Sequence, residues 1–416
     1  MIRLIEALNF RCLRYVHQSL GPFQVLVGPN ASGKTTFLDV VGFLGRLVSD
    51  GLEATIDERT QNFQDLLWGR TGEKFELAVE AVIPEERRTR LNKPFDTIRY
   101  EVRIGIDPQT VEAGILEEKA WLRVWEDPPL EQRPSFPFER ERPSTIITGK
   151  NRTGWQRTLS KSSNDNFYVE AREAGAGKGW FPSIRLGPRK SALGNLPEDE
   201  SKFPVSTWLK TLLSQGVQSI VLNSLLMRKA SPPRSIRGFK PDGSNLPWAI
   251  AELTKNKERF RAWIAHIRTA LTEVANIRTI ERPDDRHRYL AICYDGGLEV
   301  PSWMASDGTL RLLALTIPAY LQKFQGVYLV EEPENGIHPL AVETLFQSLS
   351  SVYDAQIMVA THSPVILSLA DADKVLCFKK TPGGATDIVR GSEHPALRDW
   401  KGQTNLGVLF AGGVLG

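Results

Sequence analysis

Two hydrophobic periods alternate along the chain, and the changes between them mark its organisation. Near the N-terminus the period is two. Leu4-Ile5-Glu6-Ala7-Leu8-Asn9-Phe10 alternates, Cys12 to Tyr15 continues it, and Phe23-Gln24-Val25-Leu26-Val27 reads as a short buried strand. The period then becomes helical: Phe37, Val40, Val41, Leu44 and Val48 share one face of a helix predicted over Thr36–Ser49. Residues 57–72 are polar around Phe63, Leu66, Leu67 and Trp68. Strict alternation returns in Phe75–Val82, Ile98–Ile106 and Ile115–Trp125, which predicts an antiparallel sheet with one solvated face.

Prolines at 128, 129, 134, 137 and 143, with alternating charges in Glu139-Arg140-Glu141-Arg142, predict an irregular insertion over 127–165. Asn166–Ala171 reads as one more strand. Helical spacing then takes over in Ser206–Leu213, Val217–Met227 and Glu258–Ala275. In the last of these Phe260, Trp263, Ile264, Ile267, Leu271 and Val274 face inward, and Asn245 is a candidate cap for a helix beginning near Pro247. Ile277–Ile280 and Tyr289–Tyr294 return to strand. The last third has an α/β rhythm: a helix Leu310–Leu321 bent at Pro318, a continuous apolar strand Val327–Val330, a helix Leu340–Val352, a strand Gln356–Thr361, a helix Val365–Ala370 and a strand Lys374–Phe378. The uncharged, apolar tail Leu406–Gly416 predicts docking on the body or on a partner. These shifts divide the chain into 1–200, a helical part over 201–300, and 301–416.

Composition acts mainly by exclusion. With 416 residues, 41% hydrophobic and 24% charged, the chain has the make-up of a globular protein with room for two or three domains. A net charge of +3 gives no global field for nucleic acid, so any such surface is local. Two basic stretches qualify: Lys150, Arg152, Arg157 and Lys161 around Trp155, and Arg228, Lys229, Arg234, Arg237 and Lys240. Each reads first as a solvated loop and second as a track for DNA. Cys12, Cys293 and Cys377 show neither metal-ligand spacing nor a disulfide framework, and no signal-peptide core precedes them. With no apolar run long enough to span a bilayer, the expectation is a cytoplasmic chain with no membrane partner.

The chemistry begins at Gly28-Pro29-Asn30-Ala31-Ser32-Gly33-Lys34-Thr35, which matches the phosphate-binding pattern G-x-x-x-x-G-K-[ST] between a strand and a helix. Asn30, Ala31, Ser32, Gly33, Lys34, Thr35 and Thr36 would cradle a nucleoside triphosphate. Lys34 would reach the β- and γ-phosphates and the Thr35 hydroxyl would hold Mg²⁺. Far along the chain, Val327-Tyr328-Leu329-Val330 ends in Glu331 and Glu332. One carboxylate can serve the metal, and the other can take a proton from the attacking water. The two stretches lie nearly 300 residues apart, yet both must line one site, so the body must be assembled from both ends of the chain. Taken singly, His362 reads as a hydrogen-bonded histidine beside Ser363, and Ser306-Asp307-Gly308 as a helix N-cap.

Together these segments resemble a known family. Glu331-Glu332-Pro333-Glu334-Asn335-Gly336-Ile337-His338-Pro339 resembles the extended Walker B segment of ABC-type ATPases in the AAA15/AAA21 and OLD groups, relatives of the RecF-like and SMC-type ATPases. Met304-Ala305-Ser306-Asp307-Gly308-Thr309-Leu310-Arg311 resembles their signature motif, and Ala360-Thr361-His362-Ser363-Pro364 their switch-histidine segment. The resemblance covers residues 1–50 and 240–416. It implies an α/β fold: an ABC-ATPase head, a P-loop NTPase with an antiparallel β subdomain and an inserted helical subdomain. It implies ATP and Mg²⁺ as ligands, with Glu331 at the metal-associated acid, Glu332 as catalytic base, His362 as γ-phosphate sensor and Gln64 as the metal-linked glutamine. Ser306 and Gly308 would contact the ATP held by a second copy, giving a homodimer through an ATP sandwich. Two departures stand out: Glu occupies the usual Asp position at 331, and Ala305 and Asp307 make the signature unlike a transporter's. The resemblance also implies a separately encoded effector, such as a TOPRIM nuclease, in antiviral defence or DNA maintenance, since the sequence ends soon after the switch histidine. The alternatives are a nucleotide-gated scaffold and a repair ATPase that binds DNA directly.

Overall fold

A computed structural model describes residues 1–416 except 108–110, 128–132, 150–151, 163–165, 170–172, 174–183, 234–237, 323, 398–404 and 414–416. In chain order the first strands are β1 (Ile2–Phe10), β2 (Leu13–Ser19) and β3 (Phe23–Val27), followed by α1 (Lys34–Asp50) and α2 (Leu52–Asp57). Then come β4 (Lys74–Val82), α3 (Glu85–Arg88), β5 (Thr97–Ile106), β6 (Ala113–Arg123), β7 (Gln156–Ser162), β8 (Asn166–Val169), β9 (Ile184–Arg185) and α4 (Pro204–Thr211). The middle holds β10 (Val217–Ile220), α5 (Ser224–Arg228), α6 (Leu246–Leu253), α7 (Lys257–Ala270), β11 (Val274–Glu281), β12 (Arg288–Tyr294) and β13 (Glu299–Pro301). The last third runs α8 (Asp307–Thr316), β14 (Gly326–Glu331), α9 (Pro339–Ser350), β15 (Ala355–Thr361), α10 (Pro364–Leu369), β16 (Val375–Lys380), β17 (Thr386–Arg390) and α11 (Leu406–Ala411).

The chain divides into two compact units. The first comprises 1–21, 28–217 and 376–398. Its eight-stranded antiparallel sheet has the order β2-β1-β4-β5-β6-β7-β8-β9. The alternation in β4, β5 and β6 sets one face toward a core of Leu77, Val79, Ile98, Tyr100, Val102 and Ile104. The opposite face is not solvated as its charges predict. Glu76, Glu80, Arg99, Glu101 and Lys119 are all buried. Arg99 pairs with Glu6, Glu80 and Glu101 at 2.7–3.2 Å. The segment 145–148 lies over them: Ile146 N–H donates to Glu76 (2.6 Å) and Thr148 N–H to Glu101 (2.7 Å). Burial is tolerated because these charges are paired with one another and hydrogen-bonded, apart from one Glu80 oxygen without a partner among the described residues. Although desolvation by burial opposes its charge, the Arg99 guanidinium is held above its ordinary pKa by the three carboxylates. β7 falls inside the stretch expected to be irregular. Its sequence, Gln-Arg-Thr-Leu-Ser-Lys-Ser, has one large apolar residue, so hydrophobic alternation could not announce it.

The second unit comprises 22–27, 218–375 and 399–416. Its main sheet carries the order β10-β14-β15-β3, with β14, β15 and β3 parallel. A strand from the N-terminal end of the sequence thus pairs with one from the C-terminal third, as assembly from both ends requires. β14 reads as an apolar run, and β3 and β15 as apolar runs that include the buried Gln24 and Gln356, because both faces are buried. Val217–Met227 is not a helix. Val217-Gln218-Ser219-Ile220 is the edge strand β10, and α5 begins only at Ser224, capped by Asn223. The helix expected to reach Ala275 ends at Ala270: Leu271 lies beyond it and Val274 opens β11. Within α7 only Trp263 and Ile267 are buried. Asn245 stands at the N-cap of α6, but its side chain accepts from Lys240 N–H and donates to the Gly238 carbonyl. As expected, the tail docks: Leu406, Gly407 and Leu409 of α11 are buried, and Ser368 of α10 donates to Asn405 at 2.7 Å.

Candidate functional site

In the first unit, residues 28–34 form a tight loop. Ser32 N–H donates to the Pro29 carbonyl (3.2 Å), with Ala31 at φ +60° and Gly33 at φ +108°. Gly33 is the N-cap of α1 and has no side chain to satisfy that helix's first N–H groups, which suits an anion there. Lys34 is buried, and its ammonium donates to the carbonyls of Gly28 (2.8 Å) and Pro29 (3.2 Å). The Ser32 hydroxyl is buried with no hydrogen-bond partner among the described residues. Asn30, Ala31 and Thr35 are exposed and Thr36 is half-buried. A buried cation, an orphaned hydroxyl and uncapped helix donors fit a polyphosphate. A hairpin underlies this loop; the sequence predicted its first strand, at Lys374–Phe378, but not its second, β17. The Phe37 ring of α1 packs on Phe378 of β16 at 5.5 Å, a Cβ on Gly28 would strike the Phe378 carbonyl, and Thr386 of β17 donates to the Ser32 carbonyl.

Gln64 lies on a short helical turn, Phe63–Leu66, capped by Asn62. That turn is fixed to the β1–β2 connection, where Arg11 N–H donates to the Leu66 carbonyl at 2.9 Å.

In the second unit, the C-terminal ends of three parallel strands are aligned: Glu331 is opposite Ala360, and Thr361 is opposite Val27, the residue before the loop. Glu331 is exposed at the end of β14. Glu332 follows with φ +44°, its N–H donating to the Ala360 carbonyl at 2.8 Å. That backbone is costly for a residue with a Cβ, and such outliers cluster at functional positions. The Glu332 carboxylate lies 3.6 Å from Nε2 of His362, and each side chain is about one-third exposed. Next to His362, Ser363 caps α10, its hydroxyl accepting from Ile366 N–H. Beneath the pair, Thr361 donates to Glu334 at 2.5 Å, and the second Glu334 oxygen is buried without a partner among the described residues.

Ser306 is the N-cap of α8, accepting from Thr309 N–H at 3.1 Å. Gly308 packs against the segment after β14: a Cβ there would lie 2.7 Å from the Gly336 carbonyl. Arg228 is no solvated cation. Its guanidinium donates to the Ala305 carbonyl (3.1 Å) and pairs with Asp307, holding the segment before α8 from the neighbouring α5. Among the remaining basic candidates, Lys150, Arg234 and Arg237 lie outside the described residues. Lys161 is buried and donates to the Gly187 and Lys190 carbonyls, Arg152 stacks on Trp155 at 4.1 Å and Arg157 covers Trp121 at 5.8 Å. Of that expected track's described residues, Lys161 is internal, Arg157 is half-buried and Arg152 is exposed.

Among the described residues no three His, Cys, Asp or Glu side chains converge on a metal site. Mg²⁺ in a nucleotide site takes most of its oxygen ligands from phosphate and water, so few protein ligands are needed for it.

Comparison with known proteins places this arrangement. A family profile described as "AAA domain, putative AbiEii toxin, Type IV TA system" matches residues 23–368, and the chain belongs to that family of AAA-type ATPases. Among solved structures it is similar to an SMC head bound to the C-terminal winged-helix domain of ScpA, at 15% identity and a TM-score of 0.50, covering 93% of this chain and 97% of that one. An SMC head with an extended coiled coil bound to the C-terminal domain of ScpA, from Pyrococcus furiosus, gives 14% identity and a TM-score of 0.50, covering 93% and 95%. The fold is that of an SMC-like P-loop ATPase head, with antiparallel and parallel sheets. No curated protein matches. No helix among the described residues is long and apolar enough to cross a membrane.

Proposed function

We propose that the chain is an ATP hydrolase whose ATP-bound form assembles with a second copy to control a partner effector. The observation that carries this reading is Glu332: a carboxylate held at a strained backbone position beside His362, at the strand end expected for the catalytic base. Lys34 and the N–H groups of 33–35 bind the triphosphate, and the Thr35 hydroxyl and Glu331 share Mg²⁺, which neutralises phosphate charge. Glu332 takes the proton of the attacking water, and His362 reports the γ-phosphate. Gln64 completes the metal environment. Ser306 and the α8 N-terminus meet the partner copy's γ-phosphate, so ATP joins the two copies and hydrolysis releases them. The role we propose is antiviral defence or DNA maintenance through a separately encoded effector; the family's description as a putative toxin of a Type IV TA system and the SMC heads bound to ScpA domains support action together with other proteins. The cytoplasm is its proposed site of action.

Light scattering with ATP, ADP and no nucleotide tests assembly, and phosphate release tests hydrolysis. A monomer in every condition would refute the sandwich. ATP-dependent dimers without turnover would favour the second reading, a nucleotide-gated scaffold, for which the longer acid at Glu331 argues.

A further inference from the structure

The structure assigns Thr386, on β17, as the positioning residue of the phosphate loop, acting through the Ser32–Gly33 peptide. This rests on the nucleotide reading of residues 28–35.

Thr386 is buried, and three of its groups act on the loop's surroundings. Its hydroxyl donates to the Ser32 carbonyl at 2.8 Å. Its methyl would lie 3.0 Å from a Cβ on Gly33, and its hydroxyl closer still, so the loop can sit there only with glycine at 33. Its own N–H donates to the Cys12 carbonyl at 3.0 Å, tying it to the β1–β2 connection.

The consequence follows from peptide geometry. A trans peptide directs its C=O and its N–H to opposite sides. Anchoring the Ser32 carbonyl on Thr386 therefore turns the Gly33 N–H away from β17, toward the side a phosphate would occupy. Without the anchor the peptide is free to rotate and the donor is lost to the ligand. Gly33, at φ +108°, offers little resistance of its own, because glycine populates many backbone states. The hairpin β16–β17 thus supports both ends of the loop, Phe378 under Gly28 and Thr386 under Gly33. It lies beyond residue 368, the last residue matched by the family profile.

The test uses the full chain with Thr386→Val, which keeps the shape and removes the hydroxyl, and Thr386→Ser, which keeps the hydroxyl and removes the methyl. The readouts are ATP affinity by titration calorimetry and melting temperature without nucleotide. The valine chain should bind ATP about tenfold more weakly, about 1.4 kcal/mol, while melting close to wild type. The serine chain should bind within about threefold of wild type. Wild-type affinity in the valine chain overturns the assignment. If the valine chain does not fold, serine decides: a tenfold loss there would place the role in methyl packing and overturn it equally. A wild-type chain that binds no ATP refutes the nucleotide reading itself, a result distinct from binding that Thr386 does not influence.

Discussion

Glu332 permits a sharp test because its chemistry and its backbone make separable predictions. At φ +44° its Cβ is crowded, at a cost of about 1–2 kcal/mol for an ordinary L-residue. Glu332→Gln keeps that backbone cost and removes only the carboxylate. Glu332→Asn also removes the carboxylate but installs a side chain that tolerates the left-handed region, recovering about 1 kcal/mol. The lost contact with His362 offsets little, since a 3.6 Å pair about one-third exposed contributes at most a few tenths of a kcal/mol. A positioned general base supplies about 10²–10⁴-fold. Both variants should therefore lose turnover by about that factor, measured as phosphate release, while still binding ATP. In thermal denaturation Gln should melt like wild type, and Asn should melt about 2–4 °C higher in a unit of this size. Wild-type hydrolysis by Glu332→Gln would remove the base assignment. An Asn chain no more stable than the Gln chain would show that no strain is stored at this residue.

Three further outcomes are expected. Lys34→Ala removes charge-assisted hydrogen bonds to phosphate, so ATP affinity should fall about 10–100-fold by titration calorimetry; unchanged affinity would refute the loop's role. Gly308→Ala places a methyl 2.7 Å from the Gly336 carbonyl, so it should destabilise the second unit by about 1–3 kcal/mol in denaturant unfolding and weaken ATP-dependent association in light scattering. His394, buried against Phe136 and then influenced by Lys379, has its pKa depressed from 6.5 to about 4. Its neutral form is the folded one, so its contribution is intact above pH 6.5 and is lost as pH falls toward 4, by at most about 3 kcal/mol. Melting curves across that range should lose this slope in His394→Gln, and an unaltered slope would refute the assignment.

The sequence by itself determined whatever depends on local periodicity or on a fixed spacing of chemical groups. The phosphate loop could be read because strand, glycine turn and helix are consecutive. Glu331 and Glu332 could be read because a buried parallel strand is an unbroken apolar run with its acids at one end. That property marked β14 as a parallel strand, while its pairing with β15 and of β15 with β3 came from the structure. What the sequence misread were segments whose fate depends on distant neighbours. β10 is too short to show its own period next to the helical run that follows, and it becomes a strand because the edge of β14 offers it hydrogen bonds. The charges of β4, β5 and β6 point inward because residues 145–148 cover them. Arg228 and Lys161 are indistinguishable from solvated cations until the carbonyls that receive their protons are brought near. Only the tertiary structure decided that Thr386, 354 positions from Ser32, lies under the phosphate loop. A hydrogen bond of that range leaves no period in the sequence, because it is made by the fold and not by the segment.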